Sequence, residues 1–247
     1  MHGANLINPL KAMQYRRLFY FAKPSPVKIT GGLTETDWDA YVGVEPSNSF
    51  PVLQQTRTGK DYSDLNNRYA NLVNTEPVSV FSNWDLQFIL AEAAVRGWIS
   101  GTTAQNYYAS GIIDAMKFTA SYTPDVADYH HNRKMDDAYI NAFPATAGVA
   151  LAGTNEQQIE QIITQKYLAN FMHAPNYTSW YENRRTGYPV FILNNSTNLN
   201  NPTTQFPKRW LYPSNELSYN TQNLNTALTR QFAGNDNVNE VMWLLKD

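Results

Sequence analysis

Residues able to do chemistry crowd most densely between Lys166 and Arg185, where Lys166, His173, Glu182, Arg184 and Arg185 fall within one short stretch. Arginine forks take carboxylates through two parallel hydrogen bonds, so Arg184 and Arg185 could hold an anionic substrate or clamp buried acids. Covalent catalysis needs an activated nucleophile beside a base. None stands near His173 in the sequence, and Lys166 falls between the Tyr167 side of its helix and solvent, with no neighbour to depress its pKa. The stretch therefore reads as a helix and arginine turn that lock a scaffold.

Other candidates are sparser. Asp37 and Asp39 flank Trp38, and a carboxylate pair on one face of an extended chain is what a glycosidase would need around a scissile bond. Acids in turn sequences more commonly cap the turn. His130 and His131 are adjacent; helical metal ligands recur at i and i+3 or i+4, so this pair reads as surface histidines. Asn235, Asp236, Asn237, Asn239 and Glu240 faintly resemble a calcium loop, but the acids miss the required positions, which leaves a polar turn. Glu92 sits inside the most apolar helix. An unpaired charge there would cost several kcal/mol, so it calls for a partner such as Arg96, one turn on, or a distant Arg184 or Arg185. No GxSxG, GxGxxG, P-loop or HExxH pattern occurs, and neither a cofactor nor a metal is expected.

The elements that would position these groups are helical. Ser82 or Asn83 caps a predicted helix over 83–96, with Asp85 in its first turn. Trp84, Phe88, Ala91 and Val95 mark one face, and Leu86, Leu90 and Ala94 a second; a helix apolar on nearly all sides is expected to be buried. After Gly97, Thr102 with Gln105 offers a capping box for a helix over 103–121. The short connection makes the two an antiparallel hairpin. Small residues Ala91, Ala94, Gly111 and Ala115 would let the pair approach closely. Thr154 with Gln157 opens a helix over 155–172, whose stripe is Ile159, Ile162, Ile163, Tyr167 and Phe171. A helical turn is expected near 177–183 and partial helix over 215–231.

Residues 10–22 are apolar enough for a short helix or a strand. From Pro24 to Pro77 turn-forming residues dominate, and 122–153 also reads as a loop. The run NNSTNLNNPTT at 194–204 is too polar and turn-prone for anything but loop. Long irregular stretches in a compact domain are usually functional. The first also carries Trp38, Tyr41, Tyr62 and Tyr69.

Composition sets bounds. Only 16% of the 247 residues are charged and the net charge is −2, so there is no concentrated basic face for nucleic acid. Twenty-seven Asn, 16 Tyr, 11 Phe and 6 Trp take the place of the missing charge. Zero cysteines exclude disulfides and thiolate chemistry. No apolar run approaches the roughly 18 residues of a membrane-spanning helix. The dense apolar patch at Tyr15, Leu18, Phe19 and Phe21 has nothing before it to pack on, so an N-terminal part is expected to precede it.

In order, FILAEAAVRGWI to AQNYYASGIIDAM (Phe88 to Met116), ITQKYLANF (Ile163 to Phe171) and WYENRRTGYP (Trp180 to Pro189) resemble the SusD-like (RagB/SusD) family. YRRLFYFAKP (Tyr15 to Pro24) and SDLNNRYA (Ser63 to Ala70) resemble its SusD-like 2 branch. The resemblance falls on the C-terminal half of longer proteins that begin with a lipoprotein signal and a lipidated cysteine. It implies a mostly α fold of tetratricopeptide-like helical hairpins with long irregular loops. It also implies a non-catalytic, glycan-binding outer-membrane lipoprotein of the bacterial cell surface, partnered by a SusC-type TonB-dependent transporter in nutrient uptake.

A single domain over 1–247 is expected: a loop-rich segment at 1–78, a helical core at 79–190, and loops and short helices at 191–247. Sugar rings stack apolar faces on aromatic side chains, and their hydroxyls need fixed polar partners. Trp38, Tyr41, Tyr62, Asn67 and Tyr69 are the candidate glycan contacts. Peptide capture by the same loops, a glycosidase built on Asp37 and Asp39, and a pure protein-contact scaffold are the alternative readings.

Overall fold

The structure, a computed structural model, describes residues 1–247 except 74, 78, 174–176, 246 and 247. Its helices are α1 (Ala4–Ala12), α2 (Arg17–Phe21), α3 (Pro26–Thr30), α4 (Phe50–Gly59), α5 (Asn67–Asn71), α6 (Asn83–Val95), α7 (Ala104–Ser121), α8 (Ala127–His130), α9 (Asp137–Ala142), α10 (Asn155–Ala169), α11 (Thr178–Thr186), α12 (Ser214–Tyr219) and α13 (Thr221–Phe232). Among the described residues extended pairing is limited to two isolated bridges, Gly3 with Val44 and Ala22 with Leu65. The chain divides into two compact units, Met1–Ser179 and Trp180–Asp247.

In the first unit α6 packs along α7 as an antiparallel hairpin and α10 lies against both. The caps explain the boundaries. Ser82 Oγ accepts from the Asp85 amide while the Asp85 carboxylate takes the Ser82 amide, and Thr154 with Gln157 does the same for α10. At α7 the cap is Thr103 rather than Thr102, accepting from the Asn106 amide. Gln105 is thereby released to donate to the Pro144 carbonyl and accept from the Leu151 amide, tying the following loop to the hairpin. Gly97 takes a φ of +73° after α6, the left-handed turn that reverses the chain toward α7. The small-residue stripe does what its spacing implies: a Cβ added at Gly111 would meet the Phe88 ring at 2.9 Å.

The core joins this hairpin to the N-terminal segment. Tyr15, Leu18, Phe19, Phe21, Trp84, Phe88, Ala91, Tyr108, Ile112 and Ile162 belong to one buried cluster. Residues 10–22 are helical rather than extended, ending α1 and forming α2. Arg17 is fully buried in that cluster. Its guanidinium donates to the Leu168 carbonyl (3.1 Å) and the Ala169 carbonyl (3.3 Å) at the end of α10, where helix carbonyls lack intrahelical donors.

Several expectations change. The α6 helix fully buries one face only: of the second apolar stripe Leu86 is exposed and Leu90 and Ala94 are half-buried, and Ile89 is exposed as well. The stretches read as loops contain α3, α4 and α5, and then α8 and α9. The α4 helix buries no residue and exposes Phe50, so it has no apolar stripe for periodicity to reveal. The α9 helix, capped by Asp136, is too short to show a period. Lys166 is buried rather than solvent-facing. Glu92 does find Arg96, Nε to Oε1 at 2.8 Å.

Overpacking a tight helix crossing typically costs about 1–3 kcal/mol. Gly111→Leu is therefore expected to lower the thermal midpoint by several degrees, whereas Leu86→Gln, on the exposed face, should leave it nearly unchanged. Differential scanning calorimetry of the two variants checks both. A stable Gly111→Leu protein would refute the close α6–α7 approach.

Candidate functional site

The candidate contacts lie on loops that three separate parts of the first unit bring together: residues 33–44, 60–69 and 125–135. Glu35 is the centre of the clamp. Its carboxylate meets His131 Nδ1 at 3.2 Å and accepts from Asn132 Nδ2 at 2.6 Å, and its backbone carbonyl accepts from the Tyr41 hydroxyl at 2.8 Å. Arg133 Nε donates to the Thr36 carbonyl. The Asn66 amide donates to the carbonyls of Phe19 and Tyr129 and lies 3.3 Å from His131 Nε2, while its oxygen caps α5 by accepting from the Arg68 amide. A proton on Nδ1 satisfies both nitrogens of His131, which leaves the ring neutral. Burial outweighs the Glu35 carboxylate and holds the His131 pKa below its ordinary value.

His130 and His131 are thus buried, not surface, residues. Their side chains part as adjacency implies, His130 going to Asp125 at 3.0 Å and His131 to Glu35. No group of three or more metal-ligating side chains occurs among the described residues. Asp37 caps its own turn, accepting from the Thr34 amide at 2.7 Å and hydroxyl at 2.8 Å, and these donors hold its pKa below the usual carboxylate range. Asp39 pairs with Lys11 at 3.1 Å. The 235–240 turn is closed by Asn235 donating to Glu240, while Asp236 binds Arg209.

Of the five aromatic and amide candidates, Tyr41 is fully buried with its ring edge-on to Phe19 at 5.0 Å, so it offers no open face. Tyr69 is half-buried; Arg68 lies over its ring at 4.5 Å and donates to its hydroxyl, and burial pushes its pKa up to about 12. Trp38 is half-buried, one side set against Phe19 at 4.6 Å, and Tyr62 is half-buried. Asn67 donates to Asp128 and accepts from Lys23. Trp38, Tyr62 and Asn67 therefore keep part of their surface open on loops whose backbone is pinned.

A second knot of charge lies deeper in the same unit. Arg68, fully buried, contacts Glu76, Thr123 and Tyr69. His173 Nδ1 lies 3.2 Å from the same Glu76. Burial, with Arg17 and Arg68 nearby, lowers the His173 pKa to about 3. Glu76 itself is raised by desolvation. The neighbouring residues 174–176 lie outside the described part of the chain. In the second unit, Arg184 donates to the Lys208 carbonyl and Arg185 to Glu182, as scaffold arginines would. There an aromatic cavity of about 350 Å³ includes Trp210 and Tyr181, a feature that sequence reasoning passed over although WYENRR and KRWLYP are dense in aromatics.

Helical pairs thus carry amide-rich and aromatic loops held by side-chain hydrogen bonds. Residues 13–245 match the SusD-like family, described as Susd and RagB outer membrane lipoprotein. The chain belongs to the SusD-like family. It is similar to a SusD homologue from Bacteroides fragilis of known structure, at 44% identity and a TM-score of 0.95 over 99% of this chain and 52% of that one. A second homologue from that organism shares 34% identity, with a TM-score of 0.80 over 98% and 51%. A chitin-binding SusD homologue from Flavobacterium johnsoniae, at 24% identity and a TM-score of 0.64 over 99% and 49%, shares the fold. The chain spans about half the length of these structures. No curated protein matches it.

The buried histidines give a pH signature. His2, His131 and His173 have folded pKa values below 6.5, so below about pH 6.5 the unfolded chain holds more protons and stability falls with acidification. Glu76, raised in the folded state, opposes this in part. Thermal midpoints are expected to drop between pH 7 and pH 5. His131→Gln should flatten that slope while lowering the midpoint at pH 7; an unaltered slope would remove His131 from the account.

Proposed function

We propose that this chain is the loop-bearing part of a glycan-binding protein of the outer-membrane surface, working without catalysis beside a SusC-type TonB-dependent transporter in nutrient uptake. The observation that carries the reading is the clamp around Glu35, which fixes the loops while Trp38 and Tyr62 keep half-open rings. A sugar has many weak polar groups and little apolar area, so affinity depends on partners already in place. Pinned backbone and amide side chains supply them at low ordering cost, and an indole or phenol face takes the C–H side of the ring.

The electrostatics favour binding over hydrolysis. A glycosidase needs one carboxyl kept protonated near neutral pH. Asp37 is held in the opposite direction by the Thr34 donors, and Asp39 sits largely exposed in an ion pair with Lys11. The outer-membrane lipoprotein description of the family supports the location, and the chitin-binding homologue shows a glycan ligand for one protein of this fold.

Calorimetric titration against a panel of neutral and acidic oligosaccharides, with a parallel peptide panel and an assay for reducing sugar, tests this. Saturable binding of at least one glycan without turnover is expected. Trp38→Ala or Tyr62→Ala should weaken it by about tenfold, the size of losing one stacked ring. Release of reducing sugar, or a response to peptides alone, would overturn the proposal.

A further inference from the structure

The second unit carries a cavity lined by its own residues. It is built by two sequence runs. In WYENRR, Tyr181 and Arg184 are three residues apart on α11 and so share a helix face. In KRWLYP, Trp210 and Tyr212 follow the buried Arg209. The cavity measures about 350 Å³, room for a monosaccharide unit. Its inner wall is Phe232 of the small buried cluster formed with Leu224 and Leu228.

The rim is aromatic and open. Trp210 is 55% exposed and Tyr181 45%, and the Trp210 indole donates to the Tyr181 hydroxyl at 3.2 Å, which locks the two rings together. Trp180 backs Trp210 at 5.0 Å with an interplanar angle of 64° and donates to the Pro207 carbonyl. Arg184 lies 4.1 Å over the Trp180 ring and 5.1 Å over Tyr181. Exposed indole and phenol rings are rarely fixed so firmly without a role, because each ring left in water forfeits burial.

The polar groups around the rings suit a hydroxylated ligand. Arg209 Nη1 is held by Asp236 and the Asn237 carbonyl, so it shapes the wall. Arg184, its Nη1 held by the Lys208 carbonyl, lines the space with its guanidinium, and the half-buried Gln231 contributes an amide that can both donate and accept. Among the described residues no carboxylate lines the space. Planar rings flanked by an amide and a guanidinium are the complement of a pyranose, whose C–H face is apolar and whose edge carries hydroxyls.

We propose that this cavity is a second saccharide subsite, in which Trp210 and Tyr181 stack a pyranose ring and Gln231 and Arg184 take its hydroxyls. This rests on the glycan-binding reading above. It deepens that reading by naming, within the second unit, the rings and polar groups that would take one pyranose.

The indole N–H resonances of the 247-residue chain, assigned with Trp210→Phe and Trp38→Phe, report on the two sites independently during titration with the oligosaccharide panel. Saturable movement of the Trp210 signal is expected. Gln231→Ala should weaken that response about three- to tenfold, as for loss of one neutral hydrogen bond, and Trp210→Ala should weaken binding about tenfold. A Trp210 signal that stays still while Trp38 moves would overturn this subsite and leave the first reading intact. Movement of Trp210 alone would establish the subsite and displace Trp38 as a contact. If neither moves with any sugar, both proposals fall.

Discussion

The fold turns on one buried cation. Arg17 carries a full charge into the core with none of its surface exposed, a placement costing several kcal/mol unless its donors are met. The end of α10 meets two of them, Nη1 and Nη2, through the carbonyls of Leu168 and Ala169. That end carries the negative pole of the helix and its unpaired acceptors, so each partner lowers the other's penalty. Phe21 beneath the guanidinium at 4.7 Å adds a ring face. The N-terminal segment and the helical layer are therefore coupled by a contact that neither could leave empty.

The loops inherit their geometry from this junction. With α2 fixed, Phe19 becomes a post against which Trp38 and Tyr41 both pack edge-on. The Phe19 carbonyl receives the Asn66 amide, which sets the start of α5 and places Asn67. Glu35 then ties the first loop to His131 and Asn132. A similar economy of partners operates at the same end of α10, at its C-cap. Asn170 accepts from the Trp84 indole and donates to Asp85, the same acid that closes the α6 capping box. One side chain thus joins a helix C-terminus to a helix N-terminus, and a substitution there would release two polar groups at once, the Trp84 indole and the Asp85 carboxylate.

How much of this the sequence reveals follows from how far apart the interacting residues lie. The α6, α7 and α10 helices were legible because their signals are local: a capping residue, an apolar stripe, a glycine stop. The capping boxes of Ser82 and Thr154 and the Glu92–Arg96 pair close within four residues. The burial of Lys166 and the adjacent histidines was not legible, since the Glu35 that meets the buried His131 lies 96 positions away. Tyr41 illustrates the same limit. In a turn-rich stretch an aromatic reads as exposed, and only the position of Phe19 decides that it is core. The second face of α6 misled in the opposite sense, as apolar periodicity reports a capacity for burial and not whether another element lies there.

The composition now has a physical account. Formal charges that enter the interior, Arg17, Arg68, Glu76 and Glu92, are used where two elements must be locked, and each is met by a helix end, a ring or an opposite charge. Outside those locks, neutral amides do the joining: Asn66, Asn170, Asn183, Asn198 and Asn239 each bridge backbone or side-chain groups within loops. An amide can hold a loop in one conformation without the long-range field of a charge, so a neighbouring surface remains electrostatically quiet. For a neutral ligand that is the useful arrangement, because specificity then depends on the position of donors and rings and not on attraction from a distance. The low charged fraction is thus the counterpart of rigid loops, with stiffness supplied by short-range hydrogen bonds.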